Sequence, residues 1–227
     1  MKKKKVLIVE AHSDDSCISL GGFLERFKED YEYHFFLTAV SSVKLHHAGL
    51  VSKEDRIKEY ENFISAFNGI WHRNEHVPFN FDSILDRLAR RQIVSAIEHV
   101  IDEVKPNILI CQGPSFHHDH TIVYEATIAA TRPTACFIPQ EIYVMENPTY
   151  VHSIGPSTDF KPDFYCQLTP DQIEQKLERF KICFPSQIRN GKKNYLSIDG
   201  IRSLARYRGI EAGCEYAEAL RTYIRII

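Results

Sequence analysis

Several kinds of segment are missing from this 227-residue chain, and each absence removes a class of function. No apolar run approaches the roughly 20 residues that a membrane-spanning helix needs, so no membrane span is expected. Positive charge is not in excess either. The 28 Lys and Arg face 30 Asp and Glu, a formal charge of -2, whereas nucleic-acid binders carry a clustered basic surface; no nucleic-acid partner is expected. The one strong basic run, Lys2 to Lys5, reads as solvated lysines before a first strand. It does not open a secretory signal, because Glu10, His12, Asp14 and Asp15 interrupt the apolar stretch behind it. The six cysteines (Cys17, Cys111, Cys136, Cys166, Cys183, Cys214) include no CxxC pair. A disulfide framework and a four-cysteine zinc site are therefore disfavoured, and a reducing cytoplasm is the expected compartment. The glycine-spaced turn of a dinucleotide site is absent as well. Gly21-Gly22 is no substitute, since two acids occupy the place where phosphate would sit.

What is present is the makeup of an ordinary globular protein, 44% hydrophobic and 26% charged. The length suits one sizeable domain, taken here as residues 1–227. Val6 to Val9 is apolar without alternation, as a central parallel strand covered on both faces should be. A helix is predicted from Cys17 to Lys28, a strand over His34 to Val40 and a helix from Lys53 to Phe67. A further helix spans Ile84 to Val104, ended by Pro106 before the strand Ile108 to Cys111. A helix over His120 to Thr131, strands at Glu141 to Met145 and Asp163 to Leu168, and a helix opened by Pro170 and running to Phe184 follow. Pro185 to Ser203 reads as a loop and Leu204 to Ile226 as a helical C-terminus. Alternating strands and helices imply an α/β fold, a doubly wound and mainly parallel sheet with helices on both faces.

Ligands of such sheets bind at the carboxyl ends of strands. The two densest polar clusters, His12-Ser13-Asp14-Asp15 and His117-His118-Asp119-His120, each follow a predicted strand. If those strands are neighbours, imidazoles and carboxylates face one another across one crevice, a ligand set suited to zinc or another divalent transition metal. Asp14 and Asp15 could then divide two roles, one holding metal and the other moving a proton. The competing explanation for two adjacent acids after a strand is a helix cap.

These residues resemble the LmbE-like (PIG-L-type) N-acetylglucosaminyl deacetylases. Ala11-His12-Ser13-Asp14-Asp15 is similar to that family's Ala-His-Pro-Asp-Asp, with Leu20-Gly21-Gly22 at the family's distance, and His117-His118-Asp119-His120 to its His-Pro-Asp-His. Arg56 and Glu59, Asp82, Ser186-Gln187, Arg208-Gly209 and Tyr216-Ala217-Glu218 also resemble family positions. Ser13 and His118 replace two prolines, Ser16 a frequent glutamate and Pro185 a frequent histidine. The resemblance implies a Rossmann-like fold and zinc held by His12, Asp15 and His120. It further implies Asp14 as general base, His117 as the group that stabilises or protonates the reacting centre, and Asp119 as orienter of a histidine. Arg56 and Asp82 are candidates for holding sugar hydroxyls or a phosphate, with surface ion pairing as their alternative.

The expected activity is removal of an acetyl group from a small N-acetylated sugar. A non-catalytic metal- or sugar-binding module is the alternative. The sequence does not decide between a monomer and a homo-oligomer. Among lesser candidates, His46-His47 reads as an exposed loop, Cys17 and Cys111 as small buried hydrophobes, and Trp71, Tyr143 and Tyr207 as core aromatics rather than sugar-stacking rings.

Overall fold

The computed structural model describes residues 3–148, 160–189 and 194–227. Its centre is β1 (Lys4–Glu10), in which every residue from Val6 onward is buried. The run lacks alternation because both faces are covered. Val6 and Ile8 enter one core, Leu7 and Val9 the other, the period of two that a pleated strand imposes. Strand β6 (Ile108–Gln112), parallel to β1, divides its side chains the same way.

Parallel to β1 on its other side runs β2 (Tyr31–Leu37), followed outward by the two-residue β5 (Ile70–Trp71). A short hairpin, β3 (Val43–Leu45) with β4 (Gly49–Val51), stands apart from the main sheet. Beyond β6 come β7 (Glu141–Met145), β9 (Tyr216–Arg225) and β8 (Phe164–Leu168), the last two pairings antiparallel. The seven-stranded order is β5-β2-β1-β6-β7-β9-β8. From β1 the chain builds outward through β2 and β5, then returns to place β6 on the opposite side of β1. The strand order reverses at that point, and reversal opens a crevice beyond the carboxyl ends.

One face of the sheet carries α1 (Asp15–Phe27), α2 (Lys53–Ser65), α5 (Pro170–Cys183) and α6 (Ile198–Ala212); the other carries α3 (Arg90–Val104) and α4 (His118–Ala130). Ser52 caps α2 through the Asp55 N–H, and α5 opens on a capping box between Thr169 and Gln172 with Pro170 in its first turn.

Two expectations need correction. The helix predicted over Ile84 to Val104 is a 3-10 turn, Leu85–Arg87, followed by α3 from Arg90. The C-terminal helix starts at Ile198, inside the stretch read as a loop, and ends at Ala212, where Gly213 takes φ of 72°; the chain then forms the ten-residue β9. Ala217, Ala219 and Leu220 favour helix locally, but pairing with both β7 and β8 overrides that preference. Among the described residues no helix is long and apolar enough to cross a membrane.

Candidate metal centre and its cavity

His12 lies just past the end of β1 and His117 to His120 open α4 after β6, so the β1/β6 reversal brings both clusters together. A cavity of about 170 Å³ forms there, with His12, Asp14, Asp15, His117 and His120 in its wall.

Hydrogen bonds fix which nitrogen each imidazole presents. His12 Nε2–H donates to Asp119 Oδ2 at 3.1 Å; although burial opposes it, Asp119 and Asp15 hold the His12 imidazole well above its ordinary value, so its Nδ1 presents a lone pair only once that proton is given up, as on binding a metal ion. His120 Nδ1 is 2.7 Å from Ser115 Oγ, whose oxygen also accepts the His117 N–H; in the tautomer that donates Nδ1–H to that oxygen, Nε2 carries the His120 lone pair. Those two nitrogens face each other at 3.1 Å. Asp15 joins them, Oδ1 at 3.5 Å from His120 Nε2 and Oδ2 at 3.6 Å from His12 Nδ1. Its own position is held by the His12 N–H at 2.8 Å and the Asn147 amide at 3.1 Å.

Two ring nitrogens and the two oxygens of Asp15 thus converge, with contacts of 3.1 to 3.6 Å. Such a cluster is held together by a proton shared between the two nitrogens or by a metal ion that replaces it. Zinc bonds nitrogen at about 2.0–2.1 Å, so tetrahedral ligands sit about 3.3 Å apart, and the triad matches that spacing. Each member is oriented by a further side chain: His12 by Asp119, His120 by Ser115, Asp15 by Asn147. The His117 ring lies 4.5 Å from that of His12 and 4.9 Å from that of His120, and the three histidines can bring one nitrogen each within 4.8 Å of one another.

Electrostatics separate the two neighbouring acids. Burial would raise Asp15, but His120 and His12 overcome it and hold the carboxyl well below its ordinary value. Asp14 moves the other way, raised to about 6 by burial and then by the charge of Asp15. Although Asp14 occupies the N-cap position of α1, its side chain makes no capping hydrogen bond; it lines the cavity instead. His117 is lowered by burial and by its neighbour His12.

Arg56 and Asp82 are not a surface pair. They form a buried ion pair on the cavity wall, and Arg56 also donates to the Ser41 carbonyl at 2.9 Å. Asp82 Oδ1 stands 3.8 Å from His12 Nε2. One turn along α2, Glu59 accepts the Ser186 N–H at 3.1 Å and its hydroxyl at 2.9 Å, tying down the segment that brings Gln187 and Arg189 to the cavity. His46-His47 sits in the β3/β4 turn, where His47 Nε2 donates to the Ser186 carbonyl at 2.9 Å.

The Gly21-Gly22 pair serves packing. A Cβ on Gly22 would lie 2.3 Å from Leu168 Cδ1, and one on Gly21 2.8 Å from Lys176 Cγ. That closeness lets Glu218 accept the Gly22 and Phe23 N–H groups at 2.8 and 2.6 Å, while Lys176 bridges Glu218 and the Ile18 carbonyl at 2.6 Å each. Cys17 and Cys111 are fully buried in the two cores. Trp71 packs edge-on to Tyr60 and Tyr143 is buried, but Tyr207 is 54% exposed, and none of the three lines the cavity.

Ser115 and Asn147 escaped sequence reasoning. Ser115 carries no motif signal. Asn147 had one, since it follows β7, the strand next to β6, at the same carboxyl-end level of the sheet.

A family model described as GlcNAc-PI de-N-acetylase (PIG-L) matches residues 7–131. Diacetylchitobiose deacetylase of Thermococcus kodakarensis is 25% identical over 238 residues, covering 96% of this chain and 82% of that protein. Among solved structures, a triple mutant of a deacetylase from the teicoplanin biosynthetic pathway superposes with a TM-score of 0.75 at 18% identity, covering 96% of this chain and 97% of that one. The 4-carboxy-2-hydroxymuconate hydratase of Pseudomonas putida KT2440 gives 0.74 at 17% identity, covering 99% and 98%. These two structures establish a shared fold. That a hydratase shares it means the fold alone does not choose the reaction.

Proposed function

The chain belongs to the PIG-L family of de-N-acetylases, and from that membership we propose that it is a zinc-dependent hydrolase that removes the acetyl group from an N-acetylated amino sugar or sugar conjugate. The observation that carries the reading is the convergence of His12 Nδ1, His120 Nε2 and the Asp15 carboxylate beside an uncommitted acid, Asp14. When bound, zinc supplies a water of pKa about 7 and polarises a carbonyl oxygen.

The chain's own groups do the rest. Asp14, raised to about 6, is mostly ionised at neutral pH and basic enough to accept a proton from the attacking water. Having taken that proton, Asp14 returns it to the departing nitrogen, so the amine leaves protonated. His117 is held neutral by burial and by His12, and a neutral imidazole carries one N–H that can donate to the oxyanion that develops on the acetyl oxygen. Asp119, Ser115 and Asn147 keep the three ligands in place. The Arg56–Asp82 pair holds sugar hydroxyls. The relative's diacetylchitobiose activity supports a sugar bearing an acetamido group as substrate.

The test is metal analysis together with acetate release from a panel of N-acetylated sugars and simple N-acetyl amides. About one divalent ion per chain and chelator-sensitive release from amino sugars are expected. Protein with no stoichiometric metal that gains no activity from zinc, iron or cobalt would refute the proposal, as would release confined to the simple amides.

A further inference from the structure

Two ion pairs are buried against α1. Lys176–Glu218 grips the middle of that helix, where Glu218 accepts the Gly22 and Phe23 N–H groups. The other pair, Arg208–Glu146, joins α6 to the first residue after β7, with side chains 11% and 7% exposed. Both pairs border one small cavity of about 10 Å³, which Ser19 of α1 also lines. Neither Arg208 nor Glu146 lines the cavity of the metal centre, so neither reaches the reacting groups.

Three donors hold the Arg208 guanidinium in its plane. Nε donates to Glu146 Oε2 at 3.0 Å, Nη2 donates to Glu146 Oε1, and Nη1 donates to Glu211 Oε2 at 2.5 Å. A two-pronged fork fixes both the position and the tilt of a carboxylate, which a point charge does not. Glu146 is therefore clamped at its side chain as well as by the strand before it. The very next residue is Asn147, also buried, whose amide donates to Asp15 Oδ1 at 3.1 Å. One residue of this short segment faces α6 and its neighbour faces the metal centre.

Stability does not by itself account for such a pair. Desolvating two charges offsets most of what their attraction returns, and apolar residues of similar volume are often as stable in their place. What apolar residues lack is direction. We propose that Arg208 is a positioning residue of the metal centre: by clamping Glu146 it sets the Asn147 amide, and through that amide it sets the Asp15 carboxylate at the geometry that receives a metal ion. This rests on the metal-dependent reading and adds a residue of the last helix to it.

The experiment is a double-mutant cycle read in zinc affinity, by competition against a chromophoric chelator. The clamp is removed with Arg208→Met and Glu146→Gln together, so that no buried charge is left alone; the other arm is Asn147→Ala, and the fourth protein combines them. Asn147→Ala should weaken zinc binding about 10–100-fold, as removing a ligand-orienting partner does. Removing the clamp should weaken it about 2–30-fold, the range for coupling through an intervening residue. In the Asn147→Ala background the same change should cost nothing further, because the amide that carries its effect is gone. Arg208→Lys keeps the charge without the fork, should fall between native and clamp-free affinity, and serves alone if the clamp-free protein does not fold. Urea unfolding of the metal-free proteins follows stability separately, since a purely structural role would lower it without a cycle in zinc affinity. Native zinc affinity in the clamp-free and Arg208→Lys proteins, or losses that add in full to that of Asn147→Ala, overturn the proposal. A native protein that binds no zinc rejects the metal centre and this proposal together, whereas additive losses in a protein that binds zinc reject only the role of Arg208.

Discussion

Among the described residues two regions pair buried or half-buried histidines against carboxylates, and they arrange them differently. At the β1/β6 reversal, His12 and His120 approach to 3.1 Å; at the sheet edge, His34 Nδ1 and His72 Nε2 approach to 2.9 Å. The edge cavity is the larger, about 270 Å³ against 170 Å³. The difference lies in how the groups are wired. At the reversal, the outer nitrogens are tied to Asp119 and Ser115, so the inner nitrogens converge on Asp15. At the edge the groups run in series, Glu32 to His34 at 2.8 Å, His34 to His72, and His72 to Glu103 at 3.6 Å. A converging triangle is an arrangement that could hold a metal ion. A row of donors and acceptors calls for a proton. Cavity size alone would have pointed to the sheet edge.

The largest expected effect separates the two acids of the reversal. Asp14→Asn should keep its metal and fold while losing about 10²–10⁴ in kcat, the usual worth of a general base. Asp15→Asn should lose metal and activity together, because an anionic ligand is gone from a shell of three. Metal content and acetate release, measured on both proteins side by side, decide it. Equal metal loss in both would mean that Asp14 is a ligand, and full activity in Asp14→Asn would remove the mechanism.

Next in size is the contrast in metal affinity. Ser115→Ala frees the His120 ring and should weaken zinc binding about 10–100-fold, as losses of ligand-orienting partners do. His34→Ala and His72→Ala should leave zinc binding unchanged. Competition against a chromophoric chelator gives both numbers, and a loss of affinity in the edge variants that matches Ser115→Ala would dissolve the distinction drawn between triangle and row.

What could be read from the sequence follows the same division. The two polar clusters are contiguous strings after two strands, so His12, Asp15, His117 and His120 could be singled out without knowing a single long-range contact. The groups that orient them were not all visible. Asn147 meets Asp15 across 132 residues of chain, and a lone Asn or Ser gives no pattern to detect. Arg56 and Asp82 could be named but not placed, since burial decides whether an ion pair belongs to a surface or a site. Central strands were legible because apolar runs covered on both faces are distinctive. The strand β9 was not, because Ala217, Glu218 and Ala219 look helical until Glu218 is seen gripping α1.

That grip gives the third prediction. The helix that carries Asp15 is mounted on β9 and α5 through Gly21 and Gly22, and a Cβ at Gly22 meets Leu168 at 2.3 Å. Gly22→Ala should therefore destabilise the protein by about 1–3 kcal/mol, the usual range for overpacking, despite alanine's better helix propensity. Urea unfolding measures the change. A stabilised Gly22→Ala protein would show that α1 can shift freely, and the rigid mounting of the reversal site would have to be abandoned.

The smallest effect concerns the edge row and its proton. Burial lowers both His34 and His72 below the ordinary histidine value of about 6.5. The groups facing them are Glu32 and Lys5 on His34, and Glu103, His99 and Lys5 on His72. The carboxylates pull upward, but burial and the neighbouring cations prevail. The folded row therefore refuses protons that the unfolded chain accepts. Its stabilisation is complete above about pH 6.5 and is lost as pH falls through the lowered folded values, since the unfolded state binds more protons in that window. His72→Gln can still donate to His34 but cannot titrate, so the stability of this variant should fall less steeply between pH 7 and 5. Urea unfolding at several pH values, with chelator present in both samples to silence the metal region, reads the slope. The change is expected in slope rather than in level at pH 7. A variant with an unaltered slope would mean that the row titrates alike in both states, and that its two imidazoles are held by packing rather than by their shared proton.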